Sequence, residues 1–182
     1  MAATTRFYHS GFALTFPPMI NFDPTFDYER ALFFMKQAMR EAQQAFDEGE
    51  VPIGAVVVKD GFVVGRGHNQ TERLNDPTAH AEILALGAAA PHFESWRLLD
   101  ATIYSTIEPC VMCAGASVMA RVRRVVYGAA DPKFGGCVSI FKIPSDTRLN
   151  HRVEVVGGVM ADEAADLMRQ FFAKRRQEKL GR

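Results

Sequence analysis

The sequence predicts an α/β protein in which helices cover both faces of one mixed five-stranded sheet. Helix-type and strand-type periodicities alternate along most of the chain, a pattern typical of strand-helix-strand crossovers. The chain has 182 residues, of which 48% are hydrophobic, so it is long enough to bury one core. We therefore expect a three-layer α/β/α architecture.

The first predicted elements are a helix and a β-hairpin. Residues 28–48 carry apolar side chains three or four positions apart, which predicts an amphipathic helix that ends at Gly49. Ile53 to Val58 and Phe62 to Gly65 are β-branched or aromatic runs that predict two strands. They flank Asp60-Gly61, a pair typical of the two-residue type I′ turn, so the strands should be antiparallel.

A second helix is predicted over residues 79–90. Asp76 offers a capping side chain and Pro77 suits a first helical turn, which would place His80 and Glu82 in that turn. Residues 128–150 are predicted as a loop with one helical turn near Ile140. The remaining elements are strands at 101–106, 122–127 and 152–156, and helices from Pro109 to about 120 and from Ala161 to about 179.

Composition narrows the class of protein. Lys plus Arg and Asp plus Glu number 21 each, so the chain lacks the basic excess of a general nucleic-acid coat and any RNA contact must be local. Three cysteines are too few for a disulfide framework. No stretch approaches the roughly 18 apolar residues of a membrane span. We expect a cytoplasmic protein with no membrane partner.

Residues 1–26 differ from the rest of the chain. They contain one acid, one base and three prolines without a regular period, and they lack the charged start and apolar block of a secretory signal. We expect an irregular N-terminal arm at 1–26 and one domain at 27–182.

The spacing of Cys110 and Cys113 predicts a metal site. At positions i and i+3 on an opening helical turn, both sulfurs project toward one point and can share an ion. A helix N-terminus favours thiolate, the form that zinc binds. His80, at the start of another crossover helix, can supply a third ligand. Three protein ligands leave the fourth tetrahedral position to water, which predicts a catalytic zinc.

Glu82 is the predicted proton shuttle. Positions i and i+2 do not share a helix face, so Glu82 is poorly placed to bind the same ion as His80. Zinc can lower the pKa of its water to about 7, which makes attack on an aromatic amidine carbon feasible. Glu82 would move a proton from that water to the ring nitrogen and then help ammonia to leave.

These residues also carry a resemblance to a known family. His80-Ala81-Glu82 and Pro109 to Cys113 have the H-x-E and P-C-x-x-C pattern of zinc-dependent nucleobase deaminases. Together with Val51 to Ala55, Asn75 to Ala79 and Glu108 to Gly115, they resemble the bacterial tRNA-specific adenosine deaminases over about residues 28–177. The resemblance implies a cytidine-deaminase-like fold, one zinc per chain, a homodimer, and conversion of adenosine to inosine at the wobble position of a tRNA anticodon stem-loop.

The same resemblance implies roles for substrate-binding residues. Asn69 would contact the purine, Asp131 would approach the ribose and Lys133 would lie near phosphate, while Ala81 and Pro109 complete the substrate-binding set. Asn69 can instead cap a turn, and Asp131-Pro132 is an ordinary turn start.

Other interpretations of the motifs remain open at this point. A lone C-x-x-C can be a redox pair, and a structural zinc could take a fourth ligand from His68, His92, Cys137 or His151. The same zinc and glutamate chemistry also serves deaminases of a free base or nucleotide, such as guanine, cytosine or deoxycytidylate. A catalytically silent RNA-binding subunit is a further alternative, although a structural zinc would have no need of Glu82.

Overall fold

The computed structural model describes residues 26–180. The predicted arm at 1–26 lies outside the described residues except for Phe26. No helix within 26–180 is long and apolar enough to cross a membrane. The helices are α1 (Tyr28–Asp47), α2 (Thr71–Leu74), α3 (Ala81–Phe93), α4 (Val111–Met119) and α5 (Ala161–Leu180), and the strands are β1 (Gly54–Lys59), β2 (Phe62–His68), β3 (Thr102–Ile107), β4 (Arg124–Ala129) and β5 (Glu154–Val156).

One mixed sheet has the strand order β2-β1-β3-β4-β5. Strand β1 pairs antiparallel with β2 and β3, whereas β3, β4 and β5 are parallel. Asp60 and Gly61 have φ values of 50° and 87°, so both central residues of the hairpin turn have the positive φ that a type I′ turn requires. The predicted five-stranded sheet and its hairpin are confirmed.

Helices cover both faces of the sheet because alternate strand residues are apolar on both sides. Ala85 and Ala89 of α3 and Ala114 of α4 pack with Val57 and Val125 on one face. On the other face of the sheet, α1 packs against the strand residues that alternate with those just named. Helix α5 covers the same face and packs against β3 and β4. The predicted three-layer α/β/α architecture is confirmed.

The start of α3 differs from the prediction. The helix begins at Ala81, and His80 is its extended N-cap residue with φ −75° and ψ 150°. Asp76 does not cap this helix, because its Oδ1 accepts hydrogen bonds from the backbone N and the hydroxyl of Thr78 in a local turn. The Ala79 carbonyl accepts a hydrogen bond from Gln70 N at 3.0 Å, and this contact with the segment after β2 holds the chain extended before the helix.

Two further differences concern short segments. Helix α2 was not predicted, because its four residues bury no side chain and give no apolar period. The helical turn expected near Ile140 is a 3-10 turn at Ile143–Ser145, where Pro144 is buried and its carbonyl oxygen accepts a hydrogen bond from Val153 N at 2.8 Å.

Close packing between β2 and α3 sets the position of the α3 N-terminus. A Cβ atom added at Gly67 would lie 2.4 Å from the Ala81 carbonyl oxygen and 2.6 Å from Ala85 N. Only glycine allows this approach. Strand β2 therefore fixes the helix end that carries His80 and Glu82.

Candidate active site

His80, Cys110 and Cys113 come together where the N-termini of α3 and α4 meet. The His80 Nδ1 atom lies 3.5 Å from the Cys110 sulfur and 3.6 Å from the Cys113 sulfur, and the two sulfurs are 3.6 Å apart. Within residues 26–180 these three form the one group of at least three His, Cys, Asp or Glu ligand atoms that all lie within 4.8 Å of one another. The predicted ligand set is thus one spatial cluster.

The cluster has the dimensions of a zinc site. Tetrahedral zinc with Zn–S near 2.3 Å and Zn–N near 2.0 to 2.1 Å would separate neighbouring ligand atoms by about 3.6 to 3.8 Å. The sides of the observed triangle, 3.5 to 3.6 Å, are close to those values. Two sulfur donors and one imidazole nitrogen are also the donor types that zinc prefers.

Hydrogen bonds within the cluster favour a thiolate at Cys110. The Cys110 sulfur lies within hydrogen-bonding distance of the Cys113 sulfur and of His80 Nδ1, and these contacts outweigh burial and lower the pKa of Cys110 to about 4. Cys110 is the extended N-cap residue of α4, so its sulfur also lies beside the positive end of that helix. At neutral pH this cysteine is in the form that binds metal.

Glu82 lies beside the cluster without belonging to it. The residue is 4% exposed in the first turn of α3, and burial raises the pKa of its carboxyl group. Cys110 raises this pKa further, whereas His80 and a hydrogen bond with Cys113 lower it. His80 is the extended N-cap residue rather than a helical one, so the rule that positions i and i+2 lie on different helix faces does not apply to this pair.

The candidates for a fourth protein ligand have other partners. His68 Nε2 lies 3.1 Å from Glu48 Oε2, and His151 Nε2 lies 2.8 Å from the Val122 carbonyl oxygen. Cys137 is buried with its sulfur 4.0 Å from the Pro109 carbonyl oxygen, and His92 is exposed at the end of α3. Within the described residues the cluster therefore has three protein donors.

Asn69 lies at the end of β2, close to the residue that precedes His80. Its backbone N donates to Ile53 O, and the next amide, Gln70 N, donates to Ala79 O, both at 3.0 Å. The Asn69 side chain is 4% exposed, and its Nδ2 donates to Glu50 Oε2 at 3.1 Å.

Asp131 and Lys133 lie in the loop that follows β4. The Asp131 carboxylate accepts from Lys133 N at 2.8 Å and Phe134 N at 3.1 Å, so it caps a turn of its own loop. Lys133 is exposed. Ala81 and Pro109, by contrast, are buried, and they are the chain neighbours of His80 and Cys110.

Glu108 lies in a segment that carries the family resemblance, but the sequence did not reveal its role. It is 2% exposed, and its Oε1 accepts from three successive amides, Cys137 N, Val138 N and Ser139 N, at 3.2, 2.8 and 2.9 Å. Its Oε2 accepts from Asp131 N and the Ser139 hydroxyl. Burial alone would raise the pKa of Glu108, but these hydrogen bonds hold it below the ordinary value. A glutamate directly before the P-C-x-x-C motif was its only sequence signal.

Comparison with known proteins agrees with this geometry. The family profile of the MafB19-like deaminases matches residues 30–176, a range that includes every residue of the cluster. The chain belongs to this deaminase family. The deaminase is 47% identical over 154 residues to the tRNA-specific adenosine deaminase of Streptococcus pyogenes, which covers 85% of this chain and 97% of that protein.

Solved structures extend the comparison to the fold. The deaminase is similar to a structure from work on A-to-I editing by tRNA deaminases at the wobble position of transfer RNA, with a TM-score of 0.71, 44% identity, and coverage of 74% of this chain and 98% of that one. It is also similar to a guanine deaminase from Bacillus subtilis, with a TM-score of 0.52, 38% identity, and coverage of 58% and 66%.

Proposed function

We propose that this deaminase converts adenosine to inosine at the wobble position of a tRNA anticodon, with one zinc ion per chain. The observation that carries the proposal is the triangle of His80, Cys110 and Cys113 with buried Glu82 beside it. Similarity to a tRNA-specific adenosine deaminase along 97% of that protein supports the choice of substrate. A tRNA substrate would place the enzyme in the cytoplasm.

His80, Cys110 and Cys113 would hold the zinc and fill three of its four tetrahedral positions. Zinc in such a site supplies hydroxide at neutral pH because it lowers the pKa of bound water to about 7. The protein then has to bind the base, orient it and move protons.

Glu82 would move those protons. It takes one from the attacking water and delivers it to the adenine ring nitrogen beside the carbon that bears the amino group. The water oxygen bonds to that carbon, the carbon–nitrogen bond breaks, and the amino group leaves as ammonia with a proton carried by Glu82. Burial of Glu82 to 4% exposure keeps this transfer away from bulk water.

Asn69, Ala81 and Pro109 would form the base-binding part of the site. All three are buried next to the segments that carry the cluster, and an anticodon loop can extrude a base into such a pocket without breaking a duplex. Asp131 would act indirectly by shaping its loop, and exposed Lys133 would contact a phosphate.

A homodimer is part of this proposal. Phe134 is 67% exposed and Phe141 is 50% exposed, and both lie in the loop after β4, which forms a β-bridge to Cys110 through Gly135. Exposed apolar side chains grouped on one region are typical of interaction surfaces. A second copy covering this region would frame the mouth of the site.

Deamination of free guanine is the second candidate, because a guanine deaminase has a similar fold at 38% identity. The two functions predict different substrates for the same cluster. The test is to incubate the zinc-loaded protein with an anticodon stem-loop that carries adenosine at the wobble position and, separately, with free guanine, cytosine and deoxycytidylate. We expect inosine only in the stem-loop. Ammonia from guanine with an unchanged stem-loop would support the second candidate instead.

A further inference from the structure

Glu50 is a buried carboxylate for which the proposed reaction has no role. It lies between α1 and β1 and is 1% exposed. The nearby basic residues pair with a different acid, since His68 and Arg73 lie 3.1 and 3.2 Å from Glu48. Burial of a carboxylate is costly unless hydrogen bonds replace its hydration, so the partners of Glu50 indicate its purpose.

Two of those partners are the backbone amides that open α2. Glu50 Oε1 accepts from Arg73 N at 2.7 Å, and Oε2 accepts from Glu72 N at 3.3 Å. The N-cap residue Gln70 provides no side-chain cap of its own. Glu50 therefore satisfies, from a distant part of the chain, amides that would otherwise lack a partner at this helix start.

The other two hydrogen-bond partners of Glu50 are the side chains of Asn69 and Thr71, which also bond to each other. Asn69 Nδ2 donates to Glu50 Oε2 and to Thr71 Oγ1, both at 3.1 Å, and the Thr71 hydroxyl lies 3.4 Å from the same Glu50 oxygen. A carboxylate can only accept, so the amide must face it with its nitrogen. Glu50 and Thr71 together fix both the plane of the Asn69 amide and the direction of its nitrogen.

The segment that carries the Asn69 side-chain amide is also held in place relative to the cluster. The adjacent Gln70 N donates to the carbonyl of Ala79, the residue before His80. An amide that can turn over offers a ligand either its donor or its acceptor, whereas an anchored amide presents one pattern at one place. Selective binding of a purine requires an anchored amide, because a site rejects the wrong ligand when that ligand leaves polar groups of the site unpaired.

We propose that Glu50 is a positioning residue that anchors the Asn69 amide for purine binding. The inference rests on the proposed function, in which Asn69 contacts the base. Glu50 acts through Asn69 and does not touch the substrate.

The test compares Glu50→Gln with Glu48→Gln in the zinc-loaded protein. Both variants replace a carboxylate in the same loop, but Glu48 bonds to His68 and Arg73 rather than to Asn69. We expect kcat/KM for the anticodon stem-loop to fall by up to about a hundredfold in Glu50→Gln, since a small displacement of a positioning group can cost that much. Zinc content should be unchanged, and Glu48→Gln should match the wild-type protein.

A double-mutant cycle separates positioning from general stability. Once Asn69→Ala has removed the amide, adding Glu50→Gln should change kcat/KM by no more than about twofold if Glu50 acts through Asn69. Independent losses that multiply in the double variant would overturn the proposal.

A readout that does not depend on activity tests the anchor itself. In the wild-type protein the side-chain amide protons of Asn69 should give a separate NMR signal that exchanges slowly with water, and Glu50→Gln should abolish that protection. Retained protection in Glu50→Gln would refute the anchor. If the wild-type protein left the stem-loop unchanged, the proposed function would fail, and with it the purine-binding role of Glu50, while the NMR signal would still decide the anchor.

Discussion

Three buried glutamates, Glu50, Glu82 and Glu108, differ in their hydrogen-bond partners, and this difference indicates different roles. The carboxylates of Glu50 and Glu108 are occupied by backbone amides and short side chains of nearby loops. Such contacts hold segments in place and leave little capacity for proton exchange. The pKa of Glu82 is instead influenced by His80, Cys110 and Cys113. Of the three, Glu82 is therefore the one that we propose as the proton shuttle.

Replacement of Glu82 by glutamine should separate catalysis from metal binding. We expect Glu82→Gln to keep its zinc, because Glu82 is outside the ligand group, and to lose about two to four orders of magnitude in kcat, the usual contribution of a positioned acid–base group. The measurements are zinc content by elemental analysis and single-turnover inosine formation. Glu94→Gln, on the exposed C-cap of the same helix, is the matched control. Unchanged turnover in Glu82→Gln would contradict the shuttle.

The three cysteines should differ in their effect on zinc. Cys110→Ser replaces a cluster sulfur and should lose most of the bound zinc and lower the melting temperature of the zinc-loaded protein. Cys137→Ala should keep its zinc, because that sulfur packs against the Pro109 carbonyl instead of joining the cluster. Equal zinc loss in the two variants, measured after dialysis, would show that Cys137 is a ligand.

At the scale of elements, β2 and the loop after β4 hold the site from two sides. Strand β2 approaches α3 through Gly67 and continues into Asn69. The loop after β4 reaches the start of α4, where Gly136 N donates to Pro109 O at 2.8 Å and Gly135 forms a β-bridge with Cys110. One buried glutamate forms hydrogen bonds on each side: Glu50 on the side of β2, and Glu108 on the side of the loop after β4.

A methyl group at Gly67 should displace the α3 N-terminus. Because the added Cβ would meet backbone atoms at 2.4 and 2.6 Å, we expect Gly67→Ala to lower the free energy of unfolding by about 1 to 3 kcal/mol and to reduce zinc affinity. Gly87→Ala, within α3 itself, is the control, since its Cβ would meet nothing within 4 Å, and it should stabilise the protein by about 0.5 to 1 kcal/mol. Urea unfolding curves measure both. Gly67→Ala as stable as the wild-type protein would contradict the close packing.

Removal of the Glu108 charge should loosen the loop after β4. Glu108→Gln would place an amide nitrogen where one oxygen now accepts several backbone amides, and an unsatisfied buried donor costs about 1 to 3 kcal/mol. Hydrogen exchange at residues 137–139 should then accelerate, while exchange in α1 stays unchanged. Slow exchange at 137–139 in the variant would mean that the loop is held by other contacts.

Local patterns predicted most of the elements, and long-range contacts account for what they missed. Asp60-Gly61 predicted the hairpin because the turn depends on two adjacent residues. The predicted start of α3 was wrong because a hydrogen bond from Gln70, in the preceding loop, holds Ala79 outside the helix. Glu50 and Glu108 were missed because burial of an acid leaves no periodic signal, and their amide partners lie about 20 to 30 residues away.

For the whole molecule, the mixed sheet explains why the motifs meet. Strand β1 pairs antiparallel with β3, so β2 and α3 follow on that side of the sheet. The parallel crossover from β3 to β4 places α4 on the same face of the sheet as α3. The N-termini of the two helices therefore converge on a single point. The H-x-E and P-C-x-x-C spacings could be read from the sequence, but their meeting depends on this topology.

The source of the oxygen atom in inosine is the most direct test of hydrolysis at the cluster. The zinc-loaded protein is incubated in heavy-oxygen water with an anticodon stem-loop carrying adenosine at the wobble position, and the digested nucleosides are analysed by mass spectrometry. Hydrolysis at the cluster predicts inosine that carries one heavy oxygen atom, with one ammonia released for each inosine, and no inosine with Glu82→Gln. Unlabelled inosine, or none from the wild-type protein, would contradict the account.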